Sequence, residues 1–192
     1  MPDLVAPRAA ASGLYRAMLV QYRVQEALHL GTPGKQLERA GPLPGETVVD
    51  WGCGPGRVTI PVAKMIKGGK VVAVDVERLA LQVVRQKAAD EGLDNVYTVL
   101  FQAHPVAIPS GSVDLVLLLD TFHAVRDKEG LLSDIGRVLK AAGHLFMDPG
   151  HMNQERALQR VEASGLFRLE DAWGRDMLFA KDVGRMGEAA AG

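Results

Sequence analysis

Val48-Val49-Asp50-Trp51-Gly52-Cys53-Gly54-Pro55-Gly56 is the stretch on which the reading of this 192-residue chain turns. An apolar strand ends in a carboxylate, and three glycines follow at alternate positions. Glycine is required where the backbone takes a positive φ or must come close to a ligand. Pro55 stiffens the loop, and the helix expected from Arg57 points its free N–H groups back at the crevice. A dinucleotide loop reads G-x-G-x-x-G and sets a pyrophosphate on that helix end. Here the spacing is G-x-G-x-G, with an acid two residues ahead. A carboxylate beside the loop repels a diphosphate and suits a ligand that carries an ammonium group. The competing reading is a glycine turn with no ligand.

Moving outward, Val71-Val72-Ala73-Val74-Asp75 is a second strand that also ends in an acid. It stands where a carboxylate accepts the two hydroxyls of a ribose; the competing reading is a cap of the following helix by Asp75 or Glu77. Strands and helices alternate from Thr47: strands at 47–51, 70–74, 96–101, 113–119 and 145–147, with helices near 57–66, 77–91, 128–139 and 153–164. Strands apolar on both faces, alternating with helices, imply a parallel sheet covered on both sides. The last two strands, 167–172 and 176–180, have too short a link for a parallel crossover and must pair as an antiparallel hairpin. The expected fold is α/β, doubly wound and Rossmann-like: a mostly parallel seven-stranded sheet ending in that hairpin, with helices on both faces. Residues 1–44 form an N-terminal helical segment, including an amphipathic helix over 14–30, that packs on or near the site. Residues 45–182 form the α/β domain, and 183–192 a disordered tail.

Composition narrows the classes further. The chain is 47% hydrophobic and 23% charged, ordinary for a globular protein. No apolar run approaches the roughly 20 residues of a membrane-spanning helix, and the first dozen residues lack the apolar core of a secretory signal. Cys53 is the sole cysteine, which excludes an internal disulfide and a multi-cysteine metal site and makes the cytoplasm the expected compartment. A net charge of −1 argues against a broad basic surface for nucleic acid.

From about Leu43 to Lys181 the chain resembles the class I S-adenosylmethionine-dependent methyltransferases, in their small-molecule branch. The family's first motif matches Asp50, Gly52, Gly54 and Gly56; its ribose-binding acid matches Asp75. An aspartate opening an apolar fourth strand that ends near a histidine matches Asp114 to His123. The family's turn after the next helix looks like Arg137-Val138-Leu139-Lys140-Ala141-Ala142-Gly143, with Ala141-Ala142 in place of Pro-Gly. The resemblance implies S-adenosylmethionine as cofactor, held by Asp50, Gly52, Cys53, Gly54, Gly56, Asp75, Val76, Gln102, Ala103 and Asp120. Gln102 stands where the family often has an aspartate for the adenine amino group.

Ligands of open α/β sheets sit beyond the carboxyl ends of the strands. Asp120 and His123 are the expected catalytic residues there, with Asp148, His151 and Met152 on the neighbouring strand end. Methyl transfer from a sulfonium is a direct displacement, so the protein mainly aligns the partners. A base is needed only if the acceptor loses a proton, and His123 has the right chemistry; packing in the turn after the strand is its competing reading. Two aspartates and two histidines share this edge, but the sequence shows no tight ligand spacing, so no metal is expected. The Asn/Asp-Pro-Pro-Tyr/Phe sequence of the family's amino-group enzymes is missing. The expected partner is therefore a small-molecule acceptor, with no membrane and no nucleic acid, and a homodimer is compatible with the sequence. An NAD-type oxidoreductase and a non-catalytic cofactor-binding module are the rival readings.

Overall fold

The most apolar run in the chain, Val113–Leu119, lies at the middle of the sheet, where both of its faces are covered. The computed structural model describes residues 33–182 together with Gly13, Val20 and Gly184. Apart from Val20 and Gly184, the helix expected over 14–30 and the tail expected over 183–192 lie outside the described residues. In chain order the elements are α1 (Gly34–Ala40), β1 (Thr47–Trp51), α2 (Thr59–Met65), β2 (Lys70–Asp75) and α3 (Arg78–Asp90). They continue with β3 (Val96–Leu100), β4 (Val113–Leu119), α4 (Lys128–Val138), β5 (Leu139–Asp148), α5 (Gln154–Ala163), β6 (Phe167–Trp173) and β7 (Asp176–Lys181).

The seven strands form one sheet in the order β3-β2-β1-β4-β5-β7-β6. Pairing is parallel from β3 through β5, and β7 runs antiparallel to both of its neighbours. The expected hairpin closes through Gly174-Arg175 alone, since Trp173 pairs with Asp176 and Gly174 supplies a positive φ of 63°. The order reverses direction between β1 and β4, which makes their carboxyl ends the switch point of the sheet.

Two apolar layers hold the sheet. One carries Val116, Leu118, Ile135, Leu145 and Phe179; the other carries Val48, Val62, Leu115, Leu117 and Phe146. Leu37 of α1 is 3% exposed within the second layer, so α1 belongs to the same compact unit as the sheet, a unit that begins at Gly34. Side chains cap the N-termini of two helices: Asp127 accepts from Gly130 N at the start of α4, and Asn153 from Arg156 N at the start of α5. The turn at 137–143 differs from its expected form. With no proline at position 141, β5 starts directly at Leu139. Three extra residues bulge out between the Val113↔Leu139 and Leu115↔His144 pairs, and Lys140 there salt-bridges Asp114 at 2.7 Å.

Candidate active site

The crevice is built from the loop after β1 outward, and its three glycines have three different reasons to be glycine. Gly52 (φ +82°) lies so close to the turn after β4 that a Cβ would sit 2.3 Å from Thr121 Oγ1. Gly56 (φ +85°) packs beneath α3, where a Cβ would meet Val84 at 3.1 Å. Gly54 (φ +51°) faces open space, with nothing within 4 Å of an added Cβ. Only Gly54 is therefore positioned for close approach by a ligand. Gly54→Val is expected to cost about 1–2 kcal/mol of stability through its positive φ. Its cofactor affinity should fall further, by more than about 30-fold, because the branched side chain fills the ligand's space. Thermal unfolding and calorimetry with S-adenosylhomocysteine measure the two effects, and normal binding by this variant would reduce the loop to a structural turn.

Asp75 ends β2 beside this loop. One carboxylate oxygen accepts from Gly54 N at 2.8 Å and the other from Glu77 N at 2.9 Å, so Asp75 organises the loop and the entry to α3 together. Burial raises its pKa, against the lowering effect of hydrogen bonds from the backbone at Glu77, Gly54 and Val76. A carboxylate oxygen has two lone pairs, so each can take a further donor from a ligand. Val76, next in sequence, is 64% exposed, and Gln102 and Ala103 are exposed just beyond the end of β3. An apolar surface beside a carboxylate and a nearby amide suits an adenosine, and the open side of Gly54 leaves room for it.

Asp50 sits deeper than the sequence reading implies. It is 2% exposed and accepts a 2.6 Å hydrogen bond from Thr59 Oγ1, tying β1 to the start of α2. Burial pushes its pKa up to about 6, opposed by the Thr59 hydroxyl and reinforced by the charge of Asp75. Asp50 thus braces the loop from beneath by tying the strand before it to the helix after it. Cys53 likewise points into the core, packed with Ala73, Leu81 and Val84; burial and the two aspartates hold its thiol protonated well above the usual range.

The raised value of Asp50 makes a stability prediction. Its folded pKa lies above the ordinary 3.8, so the folded state favours the protonated carboxyl. The cost of ionisation is absent below pH 3.8, grows as the pH rises and is complete above about 6, where it amounts to on the order of 3 kcal/mol. Asp50→Asn keeps an acceptor for Thr59 and removes that cost. In denaturant unfolding, the stability gap between variant and wild type should widen from pH 4 to pH 7 in favour of the variant. A gap that does not change with pH would show that Asp50 is charged without penalty.

On the acceptor side, the turn after β4 carries Asp120, Thr121, Phe122 and His123. Phe122 is fully buried, while Asp120 is exposed and is the only non-glycine residue with a positive φ (52°) among the described residues. Such a backbone costs about 1–2 kcal/mol. His123 Nδ1 lies 3.7 Å from Asp120 Oδ1, too far for a hydrogen bond, and its ring meets His151 edge-on at 4.9 Å between centroids. Asp148 ends β5 and accepts from Gly150 N at 2.8 Å, which sets the turn that presents His151. Met152 packs against the core instead of the crevice.

The fold thus gathers Gly54, Asp75, Val76, Gln102, Asp120 and His123 at one edge of the sheet and withdraws the side chains of Asp50 and Cys53 beneath it. Sequence reasoning missed Thr59 as the partner of Asp50. It also missed Gly150, whose place in Asp148-Pro149-Gly150 is a turn signal. A third omission is Asp134, which takes His104, Val106 N and Arg137 and so clamps the loop after β3 onto α4.

Comparison with known proteins places this geometry. The family described as "Methyltransferase domain" matches residues 48–143, half of the chain. The chain belongs to the class I S-adenosylmethionine-dependent methyltransferases. Among relatives, the ubiquinone/menaquinone biosynthesis C-methyltransferase UbiE of Hydrogenovibrio crunogenus is 33% identical over 113 residues, covering 58% of this chain and 44% of that protein. The UbiE of Shewanella oneidensis is 26% identical over 188 residues, covering 94% of this chain and 72% of that protein. Several of these curated relatives are much longer, and the chain spans 44 to 62% of their length. A SAM-dependent methyltransferase of Aquifex aeolicus shares the fold, with a TM-score of 0.68 at 24% identity, covering 78% of this chain and 88% of that one. The methyltransferase domain therefore uses S-adenosylmethionine as its cofactor, and the expected α/β sheet with its terminal hairpin is the family's. No helix among the described residues is long and apolar enough to cross a membrane.

Proposed function

We propose that the chain transfers a methyl group from S-adenosylmethionine to a small-molecule acceptor by direct displacement. The observation that carries this reading is the open face of Gly54, lying between the carboxylate of Asp75 and the polar edge formed by Asp120 and His123. Asp75 accepts the ribose hydroxyls, Val76 lies against the adenine, and Gln102 with the backbone at Ala103 receives its amino group. The loop from Gly52 through Gly56 admits the amino-acid end of the cofactor, whose ammonium is favoured by the field of Asp50. When bound, the cofactor supplies an electrophilic methyl group on a positively charged sulfur. Asp120 and His123 orient the acceptor so that its electron pair meets the methyl carbon as the carbon–sulfur pair returns to sulfur. Where the acceptor atom carries a proton, His123 is placed to receive it.

The acceptor's class rests on two supports. The near-neutral net charge disfavours a nucleic-acid substrate, and relatives described as ubiquinone/menaquinone biosynthesis C-methyltransferases make a quinol-type ring the first acceptor to try. The test is incubation of the protein with methyl-labelled cofactor and a metabolite extract, beside calorimetry with S-adenosylhomocysteine. A labelled small molecule is the expected result. Cofactor binding without any transferred label would make the chain a binding module. Affinity for a nicotinamide dinucleotide and none for S-adenosylhomocysteine would overturn the reading.

A further inference from the structure

We propose that Asp120, His123 and His151 form a binding site for a divalent transition-metal ion at the acceptor edge of the crevice. The inference rests on the reading of that crevice as a methyl-transfer site. The three side chains come from the ends of two neighbouring strands, and each offers one donor atom, all within 4.8 Å of one another. Around a zinc-like ion with bonds of about 2.0–2.2 Å, tetrahedral donors stand about 3.4 Å apart. His123 Nδ1 and Asp120 Oδ1 are already 3.7 Å apart. Asp120 and His151 are exposed, so a turn of either side chain by about an ångström completes the set.

Independent observations point to a missing partner at this place. His123 Nδ1 is shielded from solvent and has no hydrogen-bond partner, which is rare for a buried ring nitrogen. Gly150 lets the turn after β5 come close to both groups: a Cβ there would stand 2.2 Å from His123 Nδ1 and 2.6 Å from Asp120 Oδ1, so any side chain at this position would block them. The backbone of Asp120 is held in the left-handed region, and strain of that kind persists where a side chain must be aimed. Asp148 fixes the turn that carries Gly150 and His151 through its bond to Gly150 N.

Two imidazoles and one carboxylate select ions of the zinc, cobalt, nickel or iron(II) type over magnesium or calcium, which prefer oxygen alone. Three protein ligands leave positions free, and an acceptor with a hydroxyl or carbonyl oxygen would fill one of them. The ion would then hold the acceptor beside the methyl donor and favour its deprotonated form.

Titration of the full-length protein with Co²⁺, read by visible absorption and calorimetry, tests the site. The wild type should bind one equivalent with the absorption of a nitrogen–oxygen site, and His151→Asn should weaken it by more than about 10-fold. His144→Asn, which alters the separate pair with Glu170, should leave it unchanged. Because His151 is exposed, its variant should keep the wild-type melting temperature. S-adenosylhomocysteine calorimetry on the same samples separates the two readings. If the wild type binds S-adenosylhomocysteine but no Co²⁺, or if both histidine variants bind Co²⁺ as the wild type does, the ion site is overturned alone. If the wild type binds neither, the methyltransferase reading beneath it falls as well.

Discussion

His123→Asn is expected to lower turnover by roughly 10²–10⁴-fold and to leave the affinity for S-adenosylhomocysteine within about twofold of wild type. The ring lies after β4 beside Asp120 and His151, so the loss should fall on the chemical step or on acceptor binding. The double variant decides how the loss arises. If His123 and His151 share one ion, His151→Asn should cost a similar factor, and the pair together should cost no more than either alone, as expected of residues that act as a unit. If His123 works alone as a base, His151→Asn should cost little and the double variant should match His123→Asn. A fall in melting temperature with an intact rate per molecule would return His123 to simple packing under the crevice. The measurement is steady-state turnover of each variant with the acceptor found by methyl labelling.

Asp75→Ala is expected to weaken S-adenosylhomocysteine binding by roughly 10²–10⁴-fold. Two ribose hydroxyls lose a charged acceptor, each such bond contributing about 1.5–3 kcal/mol. The change also releases Gly54 N and Glu77 N from the carboxylate, so the loop loses the tie that holds its open face toward the ligand. For the wild type, affinity should fall in acid as Asp75 takes up a proton. Burial sets that fall above the usual carboxylate range. Calorimetry across pH checks both statements, and an affinity unchanged in the variant would remove Asp75 from the site.

The alternation of strands and helices, the hairpin at the end, the glycine loop and the acids at positions 50 and 75 were all legible in the chain. Each is a local matter: a strand declares itself by a run of apolar residues, a turn by glycine, and a strand-end acid by its place in the run. The departure of 137–143 from a simple turn was less legible, because the bulge depends on how β5 registers against β4. Which of the three glycines is open could not be read locally either. Gly52, Gly54 and Gly56 look alike in sequence, and only the packing of Thr121 and Val84 against the first and last separates them.

Tertiary structure also decided what the acids do. Asp50 and Asp75 both come at the ends of apolar inner strands, yet Asp50 is sealed against Thr59 at the start of α2. The carboxylate of Asp75 keeps two oxygens at the crevice. The grouping of Asp120, His123 and His151 lies furthest from the sequence. His151 is 28 positions beyond His123, with a helix and a strand between them, and no spacing rule relates the two. They meet because β4 and β5 pair in parallel with Leu119 opposite Asp148, so the turns that follow both strands emerge side by side. A parallel register brings strand ends together whatever the length of chain between them: the sequence put these residues at one edge, and the assembled sheet brought the His123 and His151 rings into contact.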